Sequence, residues 1–367
     1  MKIGILTLPF NNNYGGYLQA YALMTILKQM GHEPELIYRK HNKRSVSWRI
    51  TNIIKNTIKM LLGRRNGILI PNQEKELRLK GKNMMSFVDK YITPRTCPLY
   101  STSELRQFVN ERYDTIIVGS DQVWRPDYVP DVENFFLTFL KDKSQRVAYA
   151  ASFGTDKPVY TDKEKKECGN GIKLFDLVSV REQSAIDVFS AFGWVGKKNP
   201  VQVLDPTMLL DKTHYERLLQ SKPSEFKGKI LCYILDSNDY TRYIIKEIES
   251  DLKKDSIDFI DADNWKRRDF FLPSIESWLM AFRDADFIVT DSFHGTVFSI
   301  VFNKPFVTIT NNSRGADRFT SLLSVFELQD CLYIEGEKFH PTNIDWLKVN
   351  SVLRQRQTES LEFLKLI

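Results

Sequence analysis

The sequence predicts an α/β protein built from two Rossmann-like domains that face a cleft. Three observations lead to this. At 367 residues the chain is longer than one hydrophobic core usually serves. Short apolar segments alternate with helical patterns, as in mostly parallel sheets covered by helices. The alternation also pauses near residues 206–225 and then begins afresh. The expected division is a first domain over 1–210, a second over 211–343, and a final helix over 344–367 that can cross back onto the first.

In order along the chain, KIGILTL reads as a buried strand, and the loop NNNYGG turns it into the helix YLQAYALMTILKQMG, which Gly31 ends. ELIYR is the next strand. Residues from about 39 to 90 then interrupt the sheet pattern as a basic, helical insertion. DTIIVG, RVAYAASF, DLVSV and VQVLD supply the remaining strands of the first domain. In the second domain the series is KILCYILD, a helix over 240–254, SIDFIDAD, a helix over 274–283, DFIVTD, a helix over 295–303, and PFVTIT. The closing helix has Trp346, Leu347, Val352, Leu353, Leu361 and Leu364 to bury.

Composition excludes several classes. Hydrophobic residues at 42% and charged residues at 27% describe a globular chain with material for real cores. Cys97, Cys168, Cys232 and Cys331 are far apart and form no CxxC pair, so they are expected to be reduced thiols. Pro9 and the Asn-rich loop interrupt the apolar amino terminus, and no run approaches the roughly 20 residues of a membrane span. The expected location is the bacterial cytoplasm.

The net charge of +6 is unevenly spread. Between Leu36 and Gln73 stand nine basic residues and no acidic one, which leaves −3 on the rest of the chain. Trp48, Ile50, Ile53, Ile54, Ile58, Leu61 and Leu62 recur there at helical spacing. Such a helix can lie peripherally on an anionic membrane through residues 39–65, at the inner face of the plasma membrane, or pack on the protein's own body. Nucleic acid is not an expected partner, because aromatic platforms and fold signatures are missing.

Ligands of open parallel sheets bind beyond the carboxyl ends of the strands, so residues just after each strand are the candidates for chemistry. Asn13, Gly15 and Gly16 stand where the first strand turns into a helix, a place for an anion or simply a tight turn. Asp121 follows a buried strand and reads either as a base toward a substrate hydroxyl or as a turn residue. Arg181 opens a helix after DLVSV; it suits bidentate capture of phosphate or carboxylate, or a structural pair with Glu182 or Asp205. His294, in the turn of DSFHGTVF beside Gly295, suits proton transfer near neutral pH or is a core histidine with satisfied hydrogen bonds. No metal is expected, since no second histidine or cysteine stands at ligand spacing.

Taken together, NYGGYLQAYAL, VGSDQVW, AYAASFGT, SVREQSA, VLDPTMLL, DADFIVTDSFHGTVFSIVFNKPFV and NSRGADRFTSLL resemble the polysaccharide pyruvyl transferase family over nearly the whole chain. The resemblance implies a GT-B-like fold, phosphoenolpyruvate as donor substrate without a further cofactor, and a glycan or lipid-linked oligosaccharide acceptor. The product would be a pyruvate ketal in cell-surface polysaccharide biosynthesis. His294 would then be the acid, Arg181 the holder of the anionic donor, and Asp121 the group that orients or deprotonates the acceptor. The family pattern places a basic residue two positions before the histidine, where this chain has Ser292; Arg314 and Arg318 are the candidates to replace it. Two other readings share these features: a GT-B glycosyltransferase using a nucleotide sugar, and a noncatalytic glycan-binding member.

Overall fold

A computed structural model of the chain describes residues 1–43, 79–141, 143–219, 224–260, 270–310, 316–335 and 338–367. Most of the basic insertion, including the helix expected around Trp48, lies outside the described residues, as does Arg314.

Two parallel sheets follow one another. The first contains β1 (Lys2–Leu6), β2 (Glu33–Leu36), β3 (Thr115–Asp121), β4 (Gln145–Ala151), β5 (Leu177–Val180) and β6 (Val201–Gln202), in the order β2-β1-β3-β4-β5-β6. The second contains β7 (Ile230–Tyr233), β8 (Ser256–Asp258), β9 (Phe287–Thr290), β10 (Phe306–Ile309) and β11 (Leu332–Tyr333), in the order β11-β10-β9-β7-β8. All the ladders joining these strands are parallel, with Ile5 beside Ile117 in the first sheet and Cys232 beside Val289 in the second.

The described helices are α1 (Tyr14–Gln29), α2 (Lys82–Tyr91), α3 (Thr102–Val109), α4 (Asp162–Ile172), α5 (Gln183–Phe192), α6 (Lys212–Glu216), α7 (Asp239–Leu252), α8 (Ile275–Asp284), α9 (Phe293–Val301), α10 (Asp317–Val325) and α11 (Trp346–Leu364).

Side chains alternate across the first sheet as strand geometry requires. Ile3, Ile5, Ile117, Val147 and Tyr149 face one core, while Ile116, Val118, Ala148, Val178 and Val180 face another. The former does not end with its sheet. It runs on through α1 into Leu231, Tyr233, Trp278, Ile288 and Phe298 of the second unit, so one apolar core joins the inner faces of both sheets.

Helix α1 lies in the middle of that core and buries thirteen of its sixteen residues, which is why YLQAYALMTIL is apolar nearly all round. Its Tyr14 ring stacks on Trp278 at 5.8 Å between centroids, and its hydroxyl donates to Pro273 O at 2.9 Å.

Helix α11 crosses back to the first unit, giving the GT-B-like arrangement. The Ser360 hydroxyl accepts from Leu204 N at 3.0 Å, and Gln357 donates to Met208 O at 2.7 Å. Among the described residues no helix is long and apolar enough to cross a membrane.

Three sequence expectations need correction. The second strand is Glu33–Leu36 rather than ELIYR, because Glu33 N already bonds Met1 O and, apart from Ile37 N on Ile5 O, the chain from Leu36 on pairs with residues 94–99. Arg39 counts in the basic run but is not a surface cation: it is 1% exposed, and its Nε donates to Asn134 Oδ1 at 3.1 Å. Helix α9 also starts two residues earlier than expected, since the Ser292 side chain caps it, so His294 belongs to a helix's first turn and not to a loop.

Candidate active site

The carboxyl ends of β3, β5 and β6 deliver three side chains to one point. Arg181, directly after β5, places Nη1 3.3 Å from Asp121 Oδ1 at the end of β3 and 3.1 Å from Asp205 Oδ2, just past β6. Its Nε lies 3.5 Å from Glu182 Oε2, an ion pair without a hydrogen bond. The Arg181 side chain is 1% exposed. Burial works against its charge, but Asp121, Glu182 and Asp205 outweigh that and hold the guanidinium protonated even more firmly than usual.

From the second unit, α9 brings Phe293 and His294 against this group. The Arg181 guanidinium lies 4.0 Å from the centre of the Phe293 ring, and Arg318 of α10 lies 5.8 Å from the same ring. Burial, reinforced by the nearby Arg181 charge, lowers Arg318 to about 10.

His294 Nε2 sits 3.6 Å from Asp205 Oδ2, the oxygen that also holds Arg181. Asp205 Oδ1 accepts from the backbone N and hydroxyl of Thr207 at 3.0 and 2.7 Å. Burial alone would raise this carboxyl, yet His294, Arg181 and Thr207 together hold it well below the usual carboxylate range.

The other face of the His294 ring meets the start of α1. A Cβ built on Gly15 would stand 2.0 Å from His294 Nδ1, so glycine is required there by contact with the histidine. Gly16 carries no such demand, its nearest neighbours being 3.7 Å away. Asn13 caps α1, its Oδ1 accepting from Gly16 N at 3.4 Å. Gln19 of α1 clamps the end of β3 from the same side: Oε1 accepts from Ser120 N and Oγ, and Nε2 donates to Thr7. Two helix amino termini, α1 and α9, therefore converge on His294, a disposition that favours negative charge.

Three of the expected residues meet in one place. Asp121, Arg181 and His294 share one cluster, but the Asp121 carboxylate is turned onto Arg181. Asp121 itself holds φ 74°, a left-handed conformation uncommon for a side chain larger than glycine. Ser292 is occupied as a helix cap, accepting from Gly295 N at 3.3 Å. Gly295 lies against Thr290, whose Oγ1 would stand 2.2 Å from an added Cβ. Arg318 places a further guanidinium against the Phe293 ring. Among the described residues no group of three or more His, Cys, Asp or Glu could hold a metal ion.

From the sequence, Asp205 and Glu182 enter only as strand-end residues and as structural partners for Arg181, and Phe293 does not enter at all. The signal was present in each case, because each follows a strand of a parallel sheet or adjoins a residue already chosen on that ground.

The cluster contains polar groups that the protein does not satisfy. Arg181 Nε and Nη2, both carboxylate oxygens of Glu182, and His294 Nε2 are buried and meet no hydrogen-bond partner. Buried polar groups are nearly always paired, so five such atoms together point to a ligand. A cavity of about 10 Å³, the room of one water, adjoins Arg181 and is lined by Asp205, Phe293 and Arg356 among others.

Comparison with known proteins bears on these geometric findings. The family model described as polysaccharide pyruvyl transferase matches residues 13–313. No curated protein matches the chain. Among solved structures, similarity is found to the UDP-GlcNAc 2-epimerase of Neisseria meningitidis, bound to UDP-GlcNAc, at 9% identity and TM-score 0.47, covering 100% of this chain and 93% of that one. The UDP-N-acetylglucosamine 2-epimerase of Rickettsia bellii gives 11% identity, TM-score 0.44, and coverage of 99% and 96%. An α-glucosyltransferase in complex with UDP gives 10% identity, TM-score 0.49, and coverage of 99% and 95%.

Proposed function

The chain belongs to the polysaccharide pyruvyl transferase family, and from that premise we propose that it transfers the enolpyruvyl carbons of phosphoenolpyruvate to two hydroxyls of a glycan precursor, as a pyruvate ketal. The observation that carries this reading is the unsatisfied donor edge of Arg181 beside His294, where the amino termini of α1 and α9 meet. Phosphoenolpyruvate brings a phosphate and a carboxylate, and a guanidinium edge whose two N–H groups make no hydrogen bond suits either in a bidentate manner.

In the proposed reaction the first acceptor hydroxyl bonds to C2 of the donor and gives up its proton to a basic group of the site. The C2–C3 double-bond electrons take a proton at C3, and His294 supplies it. The second hydroxyl then bonds to C2 as the C2–O bond to phosphate breaks, and its proton leaves with the phosphate. One diol and one phosphoenolpyruvate give one ketal and one phosphate.

Asp205 keeps the imidazole and Arg181 in register, and Asp121 holds the same Arg181 nitrogen. Arg318 is the second cation for the donor in place of the basic residue missing at Ser292. The deciding experiment is phosphate release from phosphoenolpyruvate in the presence of lipid-linked glycan precursors, followed by mass spectrometry of the glycan. A gain of the pyruvate ketal mass, lost in His294→Ala, supports the reading; transfer of a sugar from a nucleotide sugar instead replaces it.

A further inference from the structure

The three acids around Arg181 are not equivalent. Asp121 and Asp205 each bond Nη1, and Asp205 is further tied down by Thr207. Glu182 is 2% exposed, yet neither of its oxygens accepts a hydrogen bond. A simple counter-ion would close on the Nε/Nη2 edge as a side-on pair of short bonds. Here Nε and Oε2 stand 3.5 Å apart, and Nε, Nη2, Oε1 and Oε2 all remain without hydrogen bonds. Arg181 and Glu182 thus form an ion pair that no hydrogen bond closes.

The unsatisfied atoms form two chemical sets. Arg181 offers donors, which an anion would satisfy. Glu182 offers only acceptors when ionised, and an anion cannot satisfy those; hydroxyl groups can. We propose that Glu182 is the acceptor site of the protein, its two oxygens receiving a pair of sugar hydroxyls held against a donor anion on Arg181. The inference rests on the pyruvyl transfer reading and replaces Asp121, whose carboxylate is engaged, in the acceptor role.

It also supplies the missing proton acceptor. As the first hydroxyl oxygen bonds to C2, its proton passes to a Glu182 oxygen, while His294 gives a proton to C3. Solvent restores both groups after phosphate departs.

The test uses the full chain with phosphoenolpyruvate at saturation and three probes: methyl β-galactopyranoside, methyl β-glucopyranoside and methyl β-mannopyranoside. Saturation-transfer NMR reports sugar binding, and the melting temperature reports donor binding. The expected result is transfer from wild type to at least one sugar, reduced at least about tenfold in Glu182→Ala, as the loss of hydrogen bonds to a charged group implies. Glu182→Gln, which keeps one acceptor oxygen and the side-chain shape, retains part of the signal.

The rise in melting temperature with phosphoenolpyruvate persists or grows in both variants, since the Arg181 edge is left open. A Glu182 that merely balanced charge would not separate the two readouts in this way. Equal sugar signals in wild type and Glu182→Ala, or none from a wild type that phosphoenolpyruvate does stabilise, overturn the assignment. A wild type that phosphoenolpyruvate does not stabilise overturns the donor reading and this inference with it.

Discussion

The imidazole of His294, carried by the second unit, lies against Gly15 of the first, so close that a single added methyl would stand 2.0 Å from Nδ1. The proposed acid is therefore held between two segments 190 residues apart in sequence, with Gly15 on one side and Asp205 on the other.

Gly15→Ala must push the ring out of place, and a misplacement of about 1 Å can cost on the order of a hundredfold in rate. Gly16→Ala meets only ordinary contacts at 3.7 Å and leaves turnover within about twofold, with stability unchanged or raised by up to about 1 kcal/mol. Turnover and melting temperature of the two variants check this. Equal losses in both would show that the glycine pair serves the turn and not the histidine.

Asp205 links stability to pH. Its carboxyl is held below the ordinary value of 3.8 in the folded chain, so the folded state gives up that proton more readily than the unfolded one. The stabilisation is fully present above the unfolded value and is lost as pH falls through the folded one. Asp205→Asn, which leaves buried charges short of a partner, is expected to cost about 3 kcal/mol. That deficit stays constant from neutral pH down to about 4 and narrows below it. Urea unfolding at several pH values measures it; a deficit that widens in acid would reverse the sign and refute the pairing.

The shared core makes a separate prediction. Trp278 is fully buried and stacks on Tyr14, joining the second unit to α1. Truncation of such a residue costs about 3–5 kcal/mol. Wild type is expected to unfold in one transition by calorimetry, and Trp278→Ala in two, as the units lose their common core. A single, merely shifted transition would mean that α1 is not what couples them.

The sequence made the strands legible because a buried parallel strand is a short apolar run, and it pointed to Asp121 and Arg181 because both stand where such strands end. It offered Asp205 or Glu182 as a structural partner for Arg181, but it did not show that β3 would bring Asp121 onto the same guanidinium as Asp205. That depends on register between segments 24 and 60 residues apart. Arg39 was misread for a related reason: a basic residue announces its charge but not Asn134, its partner 95 positions away. His294 was placed in a loop because the glycine beside it outweighed Ser292, a cap residue ahead of an apolar run. Glu182 was legible only as a neighbour of Arg181, since the absence of a hydrogen bond leaves no trace in a sequence.

The central claim, that Arg181 and His294 form the donor site, is tested most directly by melting temperatures. Wild type, Arg181→Ala and the more conservative Arg181→Lys are compared with phosphoenolpyruvate and with UDP-GlcNAc. Ligand at about a hundred times its dissociation constant stabilises the folded state by about 2.7 kcal/mol, a shift of several degrees. The account predicts that rise for wild type with phosphoenolpyruvate, its loss in Arg181→Ala and its marked reduction in Arg181→Lys, which keeps the charge but not the paired N–H edge. A rise with UDP-GlcNAc and none with phosphoenolpyruvate would contradict it.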